Sequence, residues 1–337
     1  MKKIFIAVLA VAAMVACSTE QTVVAPKGDA IGFSTFVENS TRANDLTKGN
    51  FDFSVYGLVE KDNARALIFN DQYVNKDGSY SPAQYWIGNA QYYFAAFAPS
   101  TGRQWSYNTT LAHTGTLTFN NEEAQANQDL LYAYAKPAKT ADKITAEPEA
   151  VKLSFSHMLS RVMFTFANGF ANGSNIKLEV YDVTITDAIS SADLVITNGV
   201  PATAWSNFSE GTFTRNFGQV GGDTLAQLVD AGVANGTVSA STEHFYLIPA
   251  KKAYNVTFKV KLYQAGVLLD TYSRTATIPA TTEMKSGMSY NIKTTLTPSN
   301  TSDDGQLYPI EFVVETVEGW ANYTGVDATV NQPATGN

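Results

Sequence analysis

A chain of 337 residues whose single cysteine is at position 17 excludes an intramolecular disulfide and a thiolate metal site. Its 23 Lys and Arg against 31 Asp and Glu leave a net charge of −8. With no basic cluster, that balance excludes nucleic acid as a partner, because the phosphate backbone must be neutralised by cations. Low charge, abundant Thr, Ser, Asn and Gly, and 17 Tyr with 19 Phe point to a secreted all-β protein long enough for two domains.

Residues 1–16 have the form of a secretion signal, with Lys2 and Lys3 before an apolar run at 4–15 that ends in small residues. The run is too short to span a bilayer, which takes about 20 helical residues. Met14-Val15-Ala16-Cys17 resembles the lipobox of bacterial lipoproteins, which implies that the Cys17 thiol receives a diacylglycerol and that the lipidated cysteine, bearing palmitate-type chains, becomes the new N-terminus. Ile31, Phe33, Thr35 and Val37 then alternate with Gly32, Ser34 and Phe36, the pattern of a strand. Thr41-Arg42-Ala43 follows, and on its own reads as an exposed loop arginine.

From Phe51 onward, short segments alternate with period two. Phe51, Phe53, Val55 and Gly57 are separated by polar residues, and the apolar strand 91–97 is stopped by Pro99. Further strands are predicted at 114–119 and 130–135, with turn clusters at Asn75-Lys76-Asp77-Gly78 and Asn120-Asn121. No apolar period of 3.6 persists for three turns, so helices should be short. Residues 136–150, rich in Ala, Lys, Pro and Glu, are predicted to link two domains.

The second domain is then expected to open with Val151, Leu153 and Phe155 on one face. After Ser156-His157-Met158-Leu159-Ser160-Arg161 the apolar phase slips to Val162, Phe164 and Phe166, which predicts a bulge or helical turn in mid-strand. More strands are predicted at 177–186, 243–248, 255–263, 267–278, 289–296 and 309–317, with a short helix or turn at 226–234. Many short strands between turn residues indicate sandwiches or barrels. Residues 321–337 form a polar tail, weakly alternating at Val326, Ala328 and Val330.

Catalytic chemistry finds no foothold, and neither a metal nor a cofactor is expected. His113, His157 and His244 lack ligand-like spacing, and His157 reads as structural. Glu122-Glu123 and Asp303-Asp304 are adjacent acids in polar turns, whose side chains point apart on an extended chain rather than facing each other across a sugar. Phosphate-loop, nucleophile-elbow and Asp-x-Asp calcium patterns do not occur. Trp86, Trp105 and Trp205, with Tyr85, Tyr92 and Tyr107, could form a sugar-stacking platform, although such residues more often fill cores.

The stretch from Val151 to Phe166, with Leu153, Phe155, His157, Val162 and Phe164, resembles the L-x-F-x-H-x-x-x-x-V-x-F signature of the fimbrillin family, the subunits of type V pili of Gram-negative anaerobes. Supporting pieces occur in order: Thr41-Arg42-Ala43, Phe94-Ala95-Ala96-Phe97-Ala98-Pro99, Asp129-Leu130-Leu131-Tyr132, Tyr246-Leu247-Ile248-Pro249, Tyr290-Asn291-Ile292 and Trp320. The resemblance implies a lipoprotein precursor with two transthyretin-like β-sandwich domains in tandem, expected at 43–140 and 141–320. Residues 1–17 would be the signal and 18–42 a propeptide. An arginine-specific protease would cut between Arg42 and Ala43, and the mature subunit would polymerise with other pilus subunits by strand exchange.

Loss of the strand before Arg42 would leave an open edge for a donor strand of a neighbour. Ile310, Phe312 and Val314, or Val326, Ala328 and Val330, are the candidate donors, and the sequence does not choose between them. Head-to-tail donation builds a filament. The expected location is the outer membrane as lipidated precursor and the extracellular fimbrium when mature. The alternative is an outer-membrane lipoprotein or pilus-tip adhesin that binds glycans and keeps Cys17.

Overall fold

The computed structural model describes residues 30–37, 51–112, 114–121, 127–141, 149–171, 173–209, 214–226, 238–281, 283–301, 310 and 312–317. Its regular structure is almost all β, as expected from the composition. In chain order the first strands are β1 (Phe33–Val37), β2 (Phe53–Lys61), β3 (Ala64–Val74), β4 (Gln91–Ala98), β5 (Trp105–Thr109), β6 (Thr114–Asn120) and β7 (Leu131–Ala135). Next come β8 (Val151–His157), β9 (Ser160–Asn168), β10 (Ile176–Ile185), β11 (Ser191–Thr197), β12 (Val200–Pro201), β13 (Ser206–Ser209) and β14 (Arg215–Asn216). The remainder are β15 (Val220–Ala226), β16 (Val238–Ser241), β17 (Phe245–Leu247), β18 (Tyr254–Gln264), β19 (Val267–Ile278), β20 (Ser289–Leu296), the one-turn helix α1 (Pro298–Thr301) and β21 (Val313–Val317).

These strands form four sheets. The first has the order β1-β8-β7-β4-β2-β3, and the second β12-β11-β6-β5 with β13 also on β11. Because both faces of the first sheet are covered, its strands carry two apolar sets. In β4, Tyr92, Phe94, Ala96 and Ala98 enter one core with Phe53, Val55, Leu131, Val151, Leu153 and Phe155. On the opposite face Phe97 packs with Trp105, Leu117, Phe119, Leu194 and Ile196 of the second sheet. The first core is enclosed by curling of its own sheet, since Phe33 of β1 lies 5.7 Å from Phe69 of β3, the strand at the opposite edge.

The third sheet (β14-β10-β18-β19, with β15 on β10) and the fourth (β16-β9-β20-β21, with β17 on β9) enclose a separate core. In β18, Tyr254, Val256, Phe258, Val260 and Leu262 point inward and meet Val162, Phe164, Phe166, Ile292 and Leu296. This is the period-two alternation of a two-layer sandwich.

Strand pairing crosses the expected boundary at 140/141. β8 pairs with β7 and β1, and β11 pairs with β6 over seven positions, so residues 151–157 and 191–209 belong to sheets built with strands that precede residue 136. Residues 136–141 are not a free link either. Thr140 Oγ1 donates to Ile87 O at 2.6 Å and accepts from Ala90 N at 2.8 Å, while Gln91 Nε2 donates to Pro137 O at 2.7 Å.

The slip of apolar phase after His157 has a different cause from a mid-strand bulge. The strand ends at His157, Met158 and Leu159 turn into the core between the first two sheets, and β9 starts a new sheet at Ser160. Phe155 and Phe164 therefore face different cores, and each segment keeps its own alternation. At 226–234, β15 ends at Ala226 and residues 227–234 lie outside the described ones.

Candidate assembly groove

β1 is the strand that the sequence places just ahead of Arg42, and it forms an edge of the first sheet. It runs parallel to β8, with Phe33 opposite Val151, Thr35 opposite Leu153 and Val37 opposite Phe155. Val151 N donates to Gly32 O at 2.8 Å. The other side of the segment meets the loop that follows β3: Ile31 N donates to Gln84 O at 2.8 Å, Ala30 forms a bridge with Tyr85, and Tyr80 Oη donates to Ile31 O at 2.7 Å. Burial raises the Tyr80 phenol above its ordinary value, which keeps that donor protonated. The turn at 75–79 comes close because residue 78 is glycine: its φ is +83°, and a Cβ there would lie 3.3 Å from Phe33 O.

Below this backbone lies an aromatic cage. The Phe33 ring is 5.6 Å from Phe94, 5.7 Å from Phe69, 5.9 Å from Tyr80 and 6.0 Å from Phe53, three of the four pairs edge-to-face. Gly57 makes room for the cage, since a Cβ there would lie 2.5 Å from the Phe69 ring and 3.2 Å from that of Phe94. Ile31 is fully buried beside it. What the groove does is hold an extended chain through the β8 ladder, the loop contacts at Ala30 and Ile31, and two apolar side chains.

Two motifs of the family resemblance meet at the other end of β8. His157 Nδ1 and Asp129 Oδ2 are 2.6 Å apart with both side chains buried, and Asp129 Oδ1 accepts from Leu130 N at 2.7 Å. The pair ties the start of β7 to the point where the chain leaves the first sheet. His157 is thus structural, as expected. His244 stands edge-on to Tyr246, His113 lies outside the described residues, and no group of three metal-ligating side chains occurs among the described residues.

Of the other sequence-derived sites, Cys17, Arg42, Ala43, Val326, Ala328, Val330, both acid pairs and Trp320 lie outside the described residues. The structure does place Ile310 and Phe312. Both are buried in the third core, where Phe312 packs 5.7 Å from Phe164 and 6.3 Å from Phe258, and Val314 packs against the same cluster. Trp86, Trp105 and Trp205 are buried too, so they form no exposed platform, and Trp105 Nε1 donates to Pro99 O at 2.7 Å. The far wall of the groove escaped sequence reasoning. Asn75-Lys76-Asp77-Gly78 marked a turn, but nothing local says that the turn leans on a strand forty residues earlier.

A family model described as fimbrillin-like matches residues 41–320. Among solved structures, the chain is similar to a candidate cell adhesion protein from Bacteroides ovatus (16% identity, 87% of this chain and 98% of that one, TM-score 0.46). It is also similar to one from Bacteroides eggerthii (12%, 87% and 97%, 0.45) and to a candidate adhesin from Bacteroides thetaiotaomicron (11%, 87% and 97%, 0.38). A comparison with curated proteins finds no match. By the extent of the family match, this chain belongs to the fimbrillin-like family.

Proposed function

We propose that the protein is a structural subunit of a cell-surface pilus, delivered as a lipoprotein through Cys17 and activated by cleavage between Arg42 and Ala43. Cleavage detaches β1 from the rest of the chain, β1 leaves its groove, and a strand from a neighbouring subunit takes its place. The observation that carries this reading is the position of β1: an edge strand ahead of the cleavage site, paired along β8 on one side, with the residues just before it, Ala30 and Ile31, held by the loop after β3 on the other. Repetition of the exchange from subunit to subunit is heterologous and yields a filament.

The placement of Ile310 and Phe312 changes the choice of donor. A segment whose side chains fill its own subunit's core cannot be given away without opening that core, so donation falls to residues after Val317 or to another protein. The N-terminus of surface-exposed material tests the proposal. Ala43 is expected in the wild type, and Arg42→Ala should accumulate as an acylated, membrane-bound monomer. Normal polymer from Arg42→Ala would refute the processing step.

A further inference from the structure

We infer that this fold withholds arginine, and not lysine, from proteases, so that an arginine-specific enzyme meets no bond it can cut quickly among the described residues. The inference deepens the processing reading above, because it would leave Arg42 as the bond for such an enzyme, but it concerns other residues and is tested separately.

The chain has six arginines, at 42, 65, 103, 161, 215 and 274. A protease must draw several residues of its substrate into an extended conformation in its own cleft, so a bond inside a β-ladder is cut only after local opening. Four of the five arginines after Arg42 sit in ladders: Arg65 of β3 opposite Glu60, Arg215 of β14 opposite Ile185, Arg274 of β19 opposite Phe258, and Arg161 of β9 between Tyr246 and Ser289. The other, Arg103, comes just before β5, and the residue after its peptide bond is fixed: Gln104 N donates to Gln128 Oε1 at 3.0 Å and Gln104 O accepts from Asn120 N at 2.7 Å.

The side chains are engaged as well, and an arginine-specific pocket must take the guanidinium first. Arg103 makes two hydrogen bonds of 2.6 Å to the Asp71 carboxylate, with its Cζ 4.5 Å from the centre of the Trp105 ring. Arg65 donates to Glu60 Oε2 at 3.0 Å and to Leu111 O at 3.2 Å, and Arg274 to Asn300 O at 3.0 Å and Ser273 O at 2.8 Å. Arg161 and Arg215, both 2% exposed, donate to Ser289 Oγ at 3.2 Å and Asn121 Oδ1 at 2.6 Å. A planar fork of donors suits such fixed partners, whereas the ammonium of lysine is a strongly hydrated point charge on a flexible stem. The lysines follow that difference: Lys139 and Lys285 are exposed and lie outside any strand.

The test digests the full folded chain with an arginine-specific protease and maps the cuts by mass, with unstructured peptides spanning each arginine as the reference. Cutting after Arg65, Arg103, Arg161, Arg215 and Arg274 should be slower in the folded chain than in the peptides by about 100-fold or more. Lys139→Arg and Lys285→Arg change exposed side chains and should each add a rapid cut at the substituted position. Cutting of the folded chain at any of these native arginines within about tenfold of the peptide rate would overturn the inference. So would resistance of both lysine variants, which would mean that the fold withholds the two residue types alike. Absence of a cut at Arg42 would overturn the processing reading and leave the inference standing.

Discussion

β1 and the chain leading into β21 share one pattern, an isoleucine two residues before a phenylalanine, and use it in opposite ways. Ile310 and Phe312 close the third core, and β21 continues as an edge strand antiparallel to β20 over five positions. Ile31 and Phe33 enter a groove whose walls come from other parts of the chain, and β1 runs parallel to β8, the slightly weaker arrangement per residue. β8 in turn meets β7 at Tyr132 and Leu131 alone, so residues 151–155 of β8 depend on β1 for their ladder. An apolar pattern shows that a segment is buried. Whether it can be exchanged depends on what surrounds it and on where the chain can be cut.

The largest expected effect lies on the side that should not be exchangeable. Phe312→Ala empties a ring site between Phe164 and Phe258 and should cost about 3–5 kcal/mol in denaturant unfolding. Deletion of 308–337 should collapse the second sandwich for the same reason, whereas deletion of 318–337 should leave the described fold intact. Asp129→Ala leaves His157 without its 2.6 Å partner inside the protein and should cost about 3 kcal/mol. A thermal melt close to that of the wild type would show that the pair does not hold the first sheet to the crossing at His157.

Phe33→Ala sharpens the comparison from the other side. The ring is half-buried, so the loss should be about 2 kcal/mol, and after cleavage the N-terminal fragment should dissociate faster than in the wild type. Unchanged dissociation would mean that the cage does not hold β1. The smallest effect is a control outside both strands. Hydrogen bonds from Arg103 at 2.6 Å hold the Asp71 carboxyl below its ordinary range, so this pair stabilises the fold above the usual carboxylate pKa of about 4. That stability is lost as pH falls through the lowered value. The pair is partly exposed and contributes less than about 1 kcal/mol. Acid titration of Arg103→Gln should show a correspondingly shallower loss.

Much of the architecture was legible because strands with one buried face print their alternation directly. β6, β7, β10, β18, β19 and β20 all fall within a residue or so of the segments predicted for them. β3 was missed because it carries register shifts and a left-handed Asp71, which interrupt the period. β11 was missed because its partner β6 lies across the expected domain boundary, and the short β13 was missed because it pairs only with β11; pairing partners are a long-range property. The groove was half legible. β1 announced itself as a strand by its alternation, but the rings that receive Phe33 come from β2, β3, β4 and Tyr80, and no local pattern ties them to residue 33.

The central claim, that the seat of β1 is the seat of assembly, can be tested by fastening β1 in place. Ser34 and Lys152 are register partners on neighbouring strands, whose spacing suits a disulfide, so Ser34→Cys combined with Lys152→Cys should join them under oxidising conditions. After cleavage at Arg42, the oxidised variant should remain monomeric and form ladders of polymer once a reductant is added. Ladders from the oxidised variant, with the cross-link verified by mass, would contradict the account.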